Sequence, residues 1–316
     1  MKDVRVAVVG AGAFGQNHVR VVAQSERAQL AAVVDADAAR AEAAAAPYGC
    51  PALTGLAALA GQVDAAIVAV PTTAHADVGC ALMEAGIDVL VEKPIAASLA
   101  EARRLVETAE RHGRILQVGH LERFNPAVAA LRGQVTIPLF FEIHRLSIFT
   151  PRSLDVDVVL DLMIHDLDIV LSLVQKMPEE IRAAGISILS PKVDIANVRL
   201  AFAGGCIANL TASRVSTEKV RKLRLFQPNE YLSVDYTRQD GAAVKVAEGR
   251  KIQFRPLAVK KDEPLRLEVE SFLEAVQERK RPLVNGEDAT IALQVALNIL
   301  DKIEEHTQIV TQTLNQ

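Results

Sequence analysis

The sequence predicts an α/β protein: an N-terminal doubly wound parallel sheet, followed by a C-terminal α/β domain with a large, mostly antiparallel open sheet. Short apolar strands alternate with helical segments in the N-terminal part. Longer segments that alternate polar and apolar residues come afterwards. The chain of 316 residues also exceeds what one hydrophobic core usually organises. We therefore expect one domain of residues 1–120 and a second of residues 121–316.

The N-terminal elements follow the order βαβαβ. The strands are short and uniformly apolar, as expected for a parallel sheet that helices cover on both faces. The segments between them are rich in Ala, Leu, Glu and Arg, which favour helices. The predicted strands are residues 4–9, 30–34, 65–70, 89–91 and 115–118, and the predicted helices are residues 17–24, 36–46, 75–85 and 99–112.

The C-terminal part has strands of the half-covered, alternating type. A sheet of this size exposes a face that needs cover, so we expect a homodimer or homotetramer. The predicted strands are residues 139–149, 181–189, 197–202, 207–213 and 222–226, and the predicted helices are residues 156–174, 265–279 and 288–306.

Composition and charge limit the class of partner. A formal net charge of -4 argues against a broad basic surface for nucleic acid or an anionic membrane, which leaves a small molecule. No apolar run is long enough for a membrane span, and no signal peptide is recognisable. Cys50, Cys80 and Cys206 are far apart, without the spacing of a zinc site or a disulfide framework. These features predict a cytoplasmic location.

Gly10, Gly12 and Gly15 form a G-x-G-x-x-G turn between the first predicted strand and a helix. Here the first glycine permits the tight turn, the second admits a pyrophosphate, and the third allows close helix packing. The helix N-terminus then faces the anion with unpaired N–H groups. This context predicts a Rossmann domain whose nicotinamide cofactor contacts all three glycines and also Ala13 and Phe14, rather than a turn without a ligand.

Asp35 ends the second predicted strand, at the position where an acidic side chain accepts hydrogen bonds from the adenosine ribose. It would repel the 2′-phosphate of NADP, so NAD is the predicted cofactor and NADP the less favoured one. Arg40, one turn into the next helix, leaves NADP open. Asp35 or Asp37 could alternatively be only a helix N-cap.

The segment Glu92-Lys93-Pro94 ends a buried strand, at the sheet edge where ligands bind in doubly wound folds. Pro94 biases Lys93 towards an extended conformation. A solvated Glu-Lys pair is the alternative. Pro71 and His75 follow another strand of the same sheet and are expected beside the cofactor.

A polar stripe runs along the predicted helix 156–174. Asp157, Asp161, His165, Asp168 and Ser172 are spaced by four, four, three and four residues among apolar neighbours. Buried carboxylates and imidazoles are costly unless they are paired or functional, so we expect a site and not a structural capping cluster. Ligands from a single helix would not complete a metal site, and we predict no metal.

Taken together, the glycine turn, the Glu-Lys-Pro segment and the Asp-x-x-x-His stripe resemble the glucose-fructose oxidoreductase, inositol dehydrogenase and MocA (Gfo/Idh/MocA) family over essentially the whole chain. The resemblance implies that Lys93 and His165 contact the sugar hydroxyl being oxidised and that Asp161 assists. These three are therefore the expected catalytic residues, and with Arg123 the expected substrate-binding residues. Glu92 and Lys93 are also expected at the cofactor.

Oxidation of a secondary alcohol requires a base for the hydroxyl proton. His165, with an ordinary pKa of about 6.5, is suited to this role near neutral pH. Lys93 could stabilise the developing alkoxide, or be the base itself if burial lowers its pKa. Both assignments remain open. Asp161 would orient the imidazole or bind substrate.

Residues 118–126 and 155–166 are most similar to a subgroup that acts on carbon three of UDP-N-acetylglucosamine and supplies a ketone for transamination to a diamino sugar of lipid A or related surface glycans. The glycines that the family often has before the aspartate are missing here. A free sugar or inositol dehydrogenase, and a sensor that binds NAD and a sugar nucleotide without turnover, are the alternatives. Candidate cations for a diphosphate, most of them expected to be solvated, are Arg123, Arg145, Arg152, Arg214, Lys219, Arg221, Lys222 and Arg224.

Overall fold

The computed structural model describes residues 3–150, 156–246 and 251–314. Packing divides the chain into two compact units. One consists of Met1–Leu121 and Glu263–Ile291, and the other of Glu122–Asp262 and Ala292–Gln316. The sequence predicted that all residues after 120 form the second domain, whereas in the structure Glu263–Ile291 belongs to the first unit. As a division of function, the predicted boundary stays a prediction.

The first unit contains a six-stranded parallel sheet of order β3-β2-β1-β4-β5-β6, which confirms the predicted doubly wound fold. All residues of β4, β5 and β6 are buried, as expected for strands covered on both faces. The strand β3 was not predicted because it has only two residues. The elements are β1 (Val4–Val9), α1 (Ala13–Gln24), β2 (Ala28–Val34), α2 (Ala38–Ala45), β3 (Ala52–Leu53), β4 (Ala65–Val68), α3 (His75–Glu84), β5 (Asp88–Glu92), α4 (Leu99–His112) and β6 (Leu116–Gly119).

The second unit contains an eight-stranded sheet of order β14-β13-β12-β11-β7-β10-β9-β8. Its pairs are antiparallel except for β7 with β10, which confirms the mostly antiparallel prediction. The strands β12, β13 and β14 were not predicted, because their polar and exposed residues interrupt the apolar pattern. The elements are α5 (Pro126–Arg132), β7 (Phe140–Ile148), α6 (Ile164–Val174), β8 (Pro178–Ile186), β9 (Ile195–Phe202), β10 (Ile207–Ser216), β11 (Val220–Gln227), β12 (Glu230–Asp235), β13 (Asp240–Val246) and β14 (Ile252–Pro256).

Two further helices end the chain, α7 (Pro264–Glu278) and α8 (Gly286–Leu314). The helix α7 belongs to the first unit because its apolar face, including Val269 and Phe272, joins the core formed by β1 and α1. The boundary between the units falls within α8, whose later residues Ala292, Val295 and Ile299 join the core of the second unit.

A π-helical segment, Val159–Met163, precedes α6 where the sequence predicted one continuous α-helix. The N–H of Ile164 donates to the carbonyl of Val159, so this turn contains one extra residue. Such π-turns are frequent at functional sites. Within the described part of the chain, none of the helices combines the length and apolar character that a bilayer crossing requires.

Candidate active site and cofactor site

The glycine turn has the geometry that a dinucleotide requires. Gly10 has a φ of +99°, and a methyl group built on it would lie 2.4 Å from the carbonyl oxygen of Ala69. A methyl group on Gly15 would lie 1.8 Å from the carbonyl oxygen of Gly10, so α1 can approach the turn only with glycine here. One on Gly12 would meet no atom within 4 Å. Because no side chain caps the first turn of α1, which begins at Ala13, its N–H groups suit a diphosphate.

Asp35 lies directly after β2 and is 9% exposed. Its Oδ2 accepts the N–H of Ala11, within the glycine turn, at 2.8 Å. Its Oδ1 accepts the N–H of Asp37 at 2.9 Å and Nη2 of Arg40 at 2.9 Å. Burial acts to raise the pKa of Asp35, but these hydrogen bonds outweigh it and the pKa lies below its ordinary value. The N-cap of α2 is Asp37, so the capping alternative applies to Asp37 and not to Asp35.

Lys93 follows β5 directly and is half-buried, at the carboxyl end of the sheet. The Lys93–Pro94 peptide bond is cis. The alternative of a solvated Glu-Lys pair does not apply to Glu92, because its side chain is buried. Its Oε1 lies 2.7 Å from Nε2 of His18, and its Oε2 accepts the main-chain N–H of Lys93 at 3.2 Å. The contacts of Glu92 and Lys93 with the cofactor stay predictions.

His75 is buried at the start of α3 and holds two main-chain segments together. Its Nδ1 lies 2.9 Å from the carbonyl oxygen of Pro94, and its Nε2 lies 3.0 Å from that of Val70. A neutral imidazole has one N–H, so it can donate to only one of these at a time. Burial lowers the pKa of His75, although both carbonyls act in the opposite direction. Pro71 is exposed after β4. The contacts of both residues with the cofactor remain predictions.

The polar stripe does not form one cluster. Asp157 accepts the main-chain N–H of Val193 at 2.9 Å, and Ser172 donates to the carbonyl of Ile169 at 2.7 Å. By contrast, Asp161 and His165 are half-buried, within and just after the π-segment. Asp157 and Ser172, at the ends of the stripe, therefore have structural roles, and Asp161 and His165 lie in its middle.

A buried ion network, which the sequence analysis missed, lies next to His165. Arg145 is 1% exposed and donates to both oxygens of Asp166, at 2.7 and 2.8 Å, and to Oε1 of Glu122 at 2.9 Å. Its guanidinium also lies 5.2 Å from the ring centroid of Tyr236. The network joins β7 to α6 at the residue that follows His165, and so fixes this part of the helix. The alternation in β7 was a usable signal, since it places Arg145 on the apolar face.

The expectation of solvation does not hold for three of the candidate cations, Arg123, Arg145 and Arg214, because each is buried beside a carboxylate. Arg123 is 6% exposed, and its Nη1 lies 3.6 Å from Oδ1 of Asp168. Burial raises the pKa of Asp168 to about 6, while Arg123 acts to lower it. The substrate contact of Arg123 stays a prediction, with its guanidinium already beside a buried partner. Arg152 lies outside the described residues.

The open glycine turn, the aspartate after β2 and the lysine after β5 fit a nicotinamide dinucleotide, and they define a dinucleotide-binding oxidoreductase of the Rossmann class. Residues 4–120 match the model of the Gfo/Idh/MocA oxidoreductase family with its NAD-binding Rossmann fold. Residues 127–227 match the model of a C-terminal domain of the same family. The chain belongs to the Gfo/Idh/MocA family and is an oxidoreductase with a nicotinamide cofactor.

Several curated relatives match nearly the whole chain. The UDP-N-acetylglucosamine 3-dehydrogenase of Acidithiobacillus ferrooxidans is 35% identical over 98% of this chain and 100% of its own. The inositol 2-dehydrogenase of Rhizobium meliloti is 27% identical over 97% of this chain and 98% of its own. A solved structure of the A. ferrooxidans enzyme superposes with a TM-score of 0.91, covering 96% of this chain and 99% of the other at 34% identity.

Proposed function

We propose that the protein oxidises a secondary hydroxyl of a sugar with NAD, and that the substrate is UDP-N-acetylglucosamine, oxidised at carbon three. The observation that carries the proposal is the full-length similarity to a UDP-N-acetylglucosamine 3-dehydrogenase, at 35% identity against 27% for the inositol 2-dehydrogenase. The 3-keto product would suit a transaminase that makes a diamino sugar for lipid A or related surface glycans.

The choice of NAD over NADP is supported by Asp35. A carboxylate with a lowered pKa stays ionised at neutral pH, accepts hydrogen bonds from ribose hydroxyls and repels a 2′-phosphate. Arg40 is the nearby cation that could favour NADP, but it already donates to Asp35 through Nε and Nη2. The ion pair therefore holds the Arg40 guanidinium at Asp35, whose carboxylate stays ionised.

The proposed catalytic residues are Lys93, Asp161 and His165. A bound nicotinamide would supply the hydride acceptor for oxidation at the sugar carbon. His165 is proposed to remove the hydroxyl proton, since an imidazole titrates near neutral pH. Lys93 is proposed to stabilise the developing alkoxide, and Asp161 to orient the imidazole. Their half-burial leaves each of them accessible to a small molecule.

A homodimer or homotetramer is proposed through the eight-stranded sheet. Ile186 in β8, Phe226 in β11 and Phe254 in β14 are large apolar side chains with 57%, 39% and 69% exposure. Apolar side chains on a sheet face are a reason to expect a partner copy. Light scattering of the purified protein tests this, and a monomer would contradict it. The cytoplasmic location stays a prediction.

Incubation of the protein with NAD and a panel of sugar nucleotides, free sugars and inositols tests the function. Mass spectrometry would then look for a product that lacks two hydrogens. Turnover of UDP-N-acetylglucosamine supports the proposal. Turnover of a free polyol alone keeps the family and overturns the substrate. No turnover across the panel, with NADH binding intact, favours the sensor.

A further inference from the structure

A buried cluster of three titratable side chains lies in the first unit. His18 comes from α1, Glu92 from the end of β5 and Glu268 from α7. One nitrogen or oxygen of each lies within 4.8 Å of those of the other two. His18 and Glu268 are fully buried, and Glu92 is 8% exposed. Since burial of charged groups is costly, the cluster needs an explanation.

Glu92 connects this cluster to the two segments that the proposed function uses. Its Oε1 lies 2.7 Å from Nε2 of His18, whose ring packs edge-on against Phe14 of the glycine turn with centroids 5.3 Å apart. Its Oε2 accepts the main-chain N–H of Lys93. Gly119 makes room for the carboxylate, because a methyl group there would lie 2.9 Å from it. Glu92 therefore fixes the lysine's main chain relative to α1.

Glu268 has no hydrogen-bond partner for either side-chain oxygen among the described residues, although it is fully buried. The nearby Gln117 donates only to the main-chain carbonyl of Glu268, at 3.1 Å. Two ionised carboxylates can only accept hydrogen bonds, so Glu92 and Glu268 cannot stabilise each other when both are charged. One proton would turn Glu268 into a donor towards Glu92.

We propose that His18, Glu92 and Glu268 form a proton-holding cluster, in which Glu268 is a neutral carboxylic acid and Glu92 carries the negative charge that positions Lys93. The titratable groups facing Glu268 are His18 from α1 and Glu92 from β5, and Gln117 of β6 is polar without titrating. Its neighbours on α7, Leu265, Val269 and Phe272, are apolar. Only the role of Lys93 rests on the proposed function.

The electrostatics agree with the geometry. Burial, and after it the negative charge of Glu92, raise the pKa of Glu268 well above its ordinary value. A raised pKa in the folded state means that the folded protein keeps a proton which the unfolded chain releases above about pH 4.5, near the ordinary value of a glutamic acid. The stabilisation from this group is therefore complete in acid and is lost as the pH rises towards the pKa of the folded state.

The isosteric variant Glu268→Gln tests the proton. We expect its melting temperature, relative to that of the wild type, to rise steadily between pH 5 and pH 8, because the amide mimics the neutral acid without titrating. Glu274→Gln is the matched control on the same helix. Lys280 lowers the pKa of that exposed carboxyl, so its replacement should not give this rise. A Glu268→Gln curve parallel to the wild-type curve would overturn the proposal.

Infrared spectroscopy of the folded protein gives a second reading that does not depend on the stability of a variant. The wild type at neutral pH should show the carbonyl band of a buried protonated carboxyl group, and Glu268→Gln should lack it. Absence of the band in the wild type contradicts the proposal. A metal site would also contradict the proposal. In that case Zn²⁺ or Mn²⁺ would raise the melting temperature of the wild type but not that of Glu268→Gln.

The link to Lys93 can be tested without turnover. Amide hydrogen exchange followed by mass spectrometry reports whether the main-chain N–H of Lys93 keeps its acceptor on Glu92. Glu92→Ala removes this acceptor and should speed the exchange of the Lys93 amide, whereas Glu268→Gln should leave it unchanged. Unchanged exchange in Glu92→Ala would contradict the positioning role, and so would equal acceleration in both variants. Neither result depends on which sugar is the substrate.

Discussion

At the scale of single residues, Lys93 and His165 are the side chains on which turnover should depend. Lys93→Ala and His165→Ala are each expected to lower kcat by about 100-fold or more, the usual range for loss of an acid–base group. NADH affinity should fall far less than kcat, because the glycine turn and Asp35, which are proposed to hold most of the dinucleotide, remain intact. Steady-state rates and fluorescence titration with NADH measure the two effects. Unchanged rates in both variants would refute the assignment, and His112→Ala, at the exposed end of α4, is the control.

Asp35 carries the prediction about cofactor choice. Asp35→Ala should weaken NADH binding by about tenfold or more, since hydrogen bonds to a charged group contribute about 1.5–3 kcal/mol. The same change frees Arg40 from its ion pair and should reduce the preference for NADH over NADPH. Arg40→Ala is the comparison, and it should keep the preference for NADH because the carboxylate stays. The dissociation constants of NADH and NADPH for each variant test the prediction. Equal affinities of the wild type for the two cofactors would contradict it.

Local sequence context explains which residues could be recognised in advance. Gly10, Asp35 and Lys93 each follow a strand directly, so their chemistry can be interpreted from neighbouring residues alone. His18 and Glu268 were missed because the residues that they lie beside belong to distant segments of the chain. A signal was nevertheless present, because Glu268 lies three residues after Leu265 and four before Phe272, on the apolar face of a predicted helix.

At the scale of elements, the junction of β1 and α1 predicts opposite outcomes for two glycines. In Gly15→Ala the new methyl group would lie 1.8 Å from a main-chain oxygen, so the variant should lose about 1–3 kcal/mol or more of unfolding free energy. In Gly12→Ala the fold should persist, because the methyl group meets nothing within 4 Å. It would occupy space that the pyrophosphate needs, and NADH affinity should fall about tenfold. Thermal unfolding measures the stability of the two variants, and NADH titration measures their cofactor affinity. A destabilised Gly12→Ala, or a Gly15→Ala of unchanged stability, would contradict the proposed binding mode.

The helix that contains the polar stripe shows a limit of periodicity. A count of 3.6 residues per turn placed five polar residues on one face, but the extra residue in the segment Val159–Met163 changes the register between the two ends. Nothing in the apolar pattern marks this insertion, because the surrounding residues are apolar on all sides. The hydrogen bond from Arg145 to Asp166 also depends on β7, so the sequence of the helix alone does not predict it.

At the scale of the whole molecule, the two sheet types were predictable because each depends on a local pattern: uniformly apolar strands in one part and alternating strands in the other. The sheet on which each later helix packs was not predictable. The helix α7 follows all the strands of the second sheet and yet packs on β1 and α1, because its residues Val269, Phe272 and Leu273 complete a core with Val6 and Val22. Amphipathic periodicity predicts that a helix has an apolar face, but not which sheet that face covers.

The return of α7 to the first unit predicts the behaviour of Phe272→Ala in the full-length protein. Phe272 is fully buried in the core that contains β1 and α1, and truncation of such a residue costs about 3–5 kcal/mol. The urea midpoint for loss of NADH binding should therefore fall. Ile309→Ala, at 63% exposure on α8, is the apolar control and should change the free energy of unfolding by less than about 0.5 kcal/mol. If Phe272→Ala left the NADH-binding transition unchanged while destabilising the second sheet, the helix would belong with the C-terminal domain, as the sequence alone predicted.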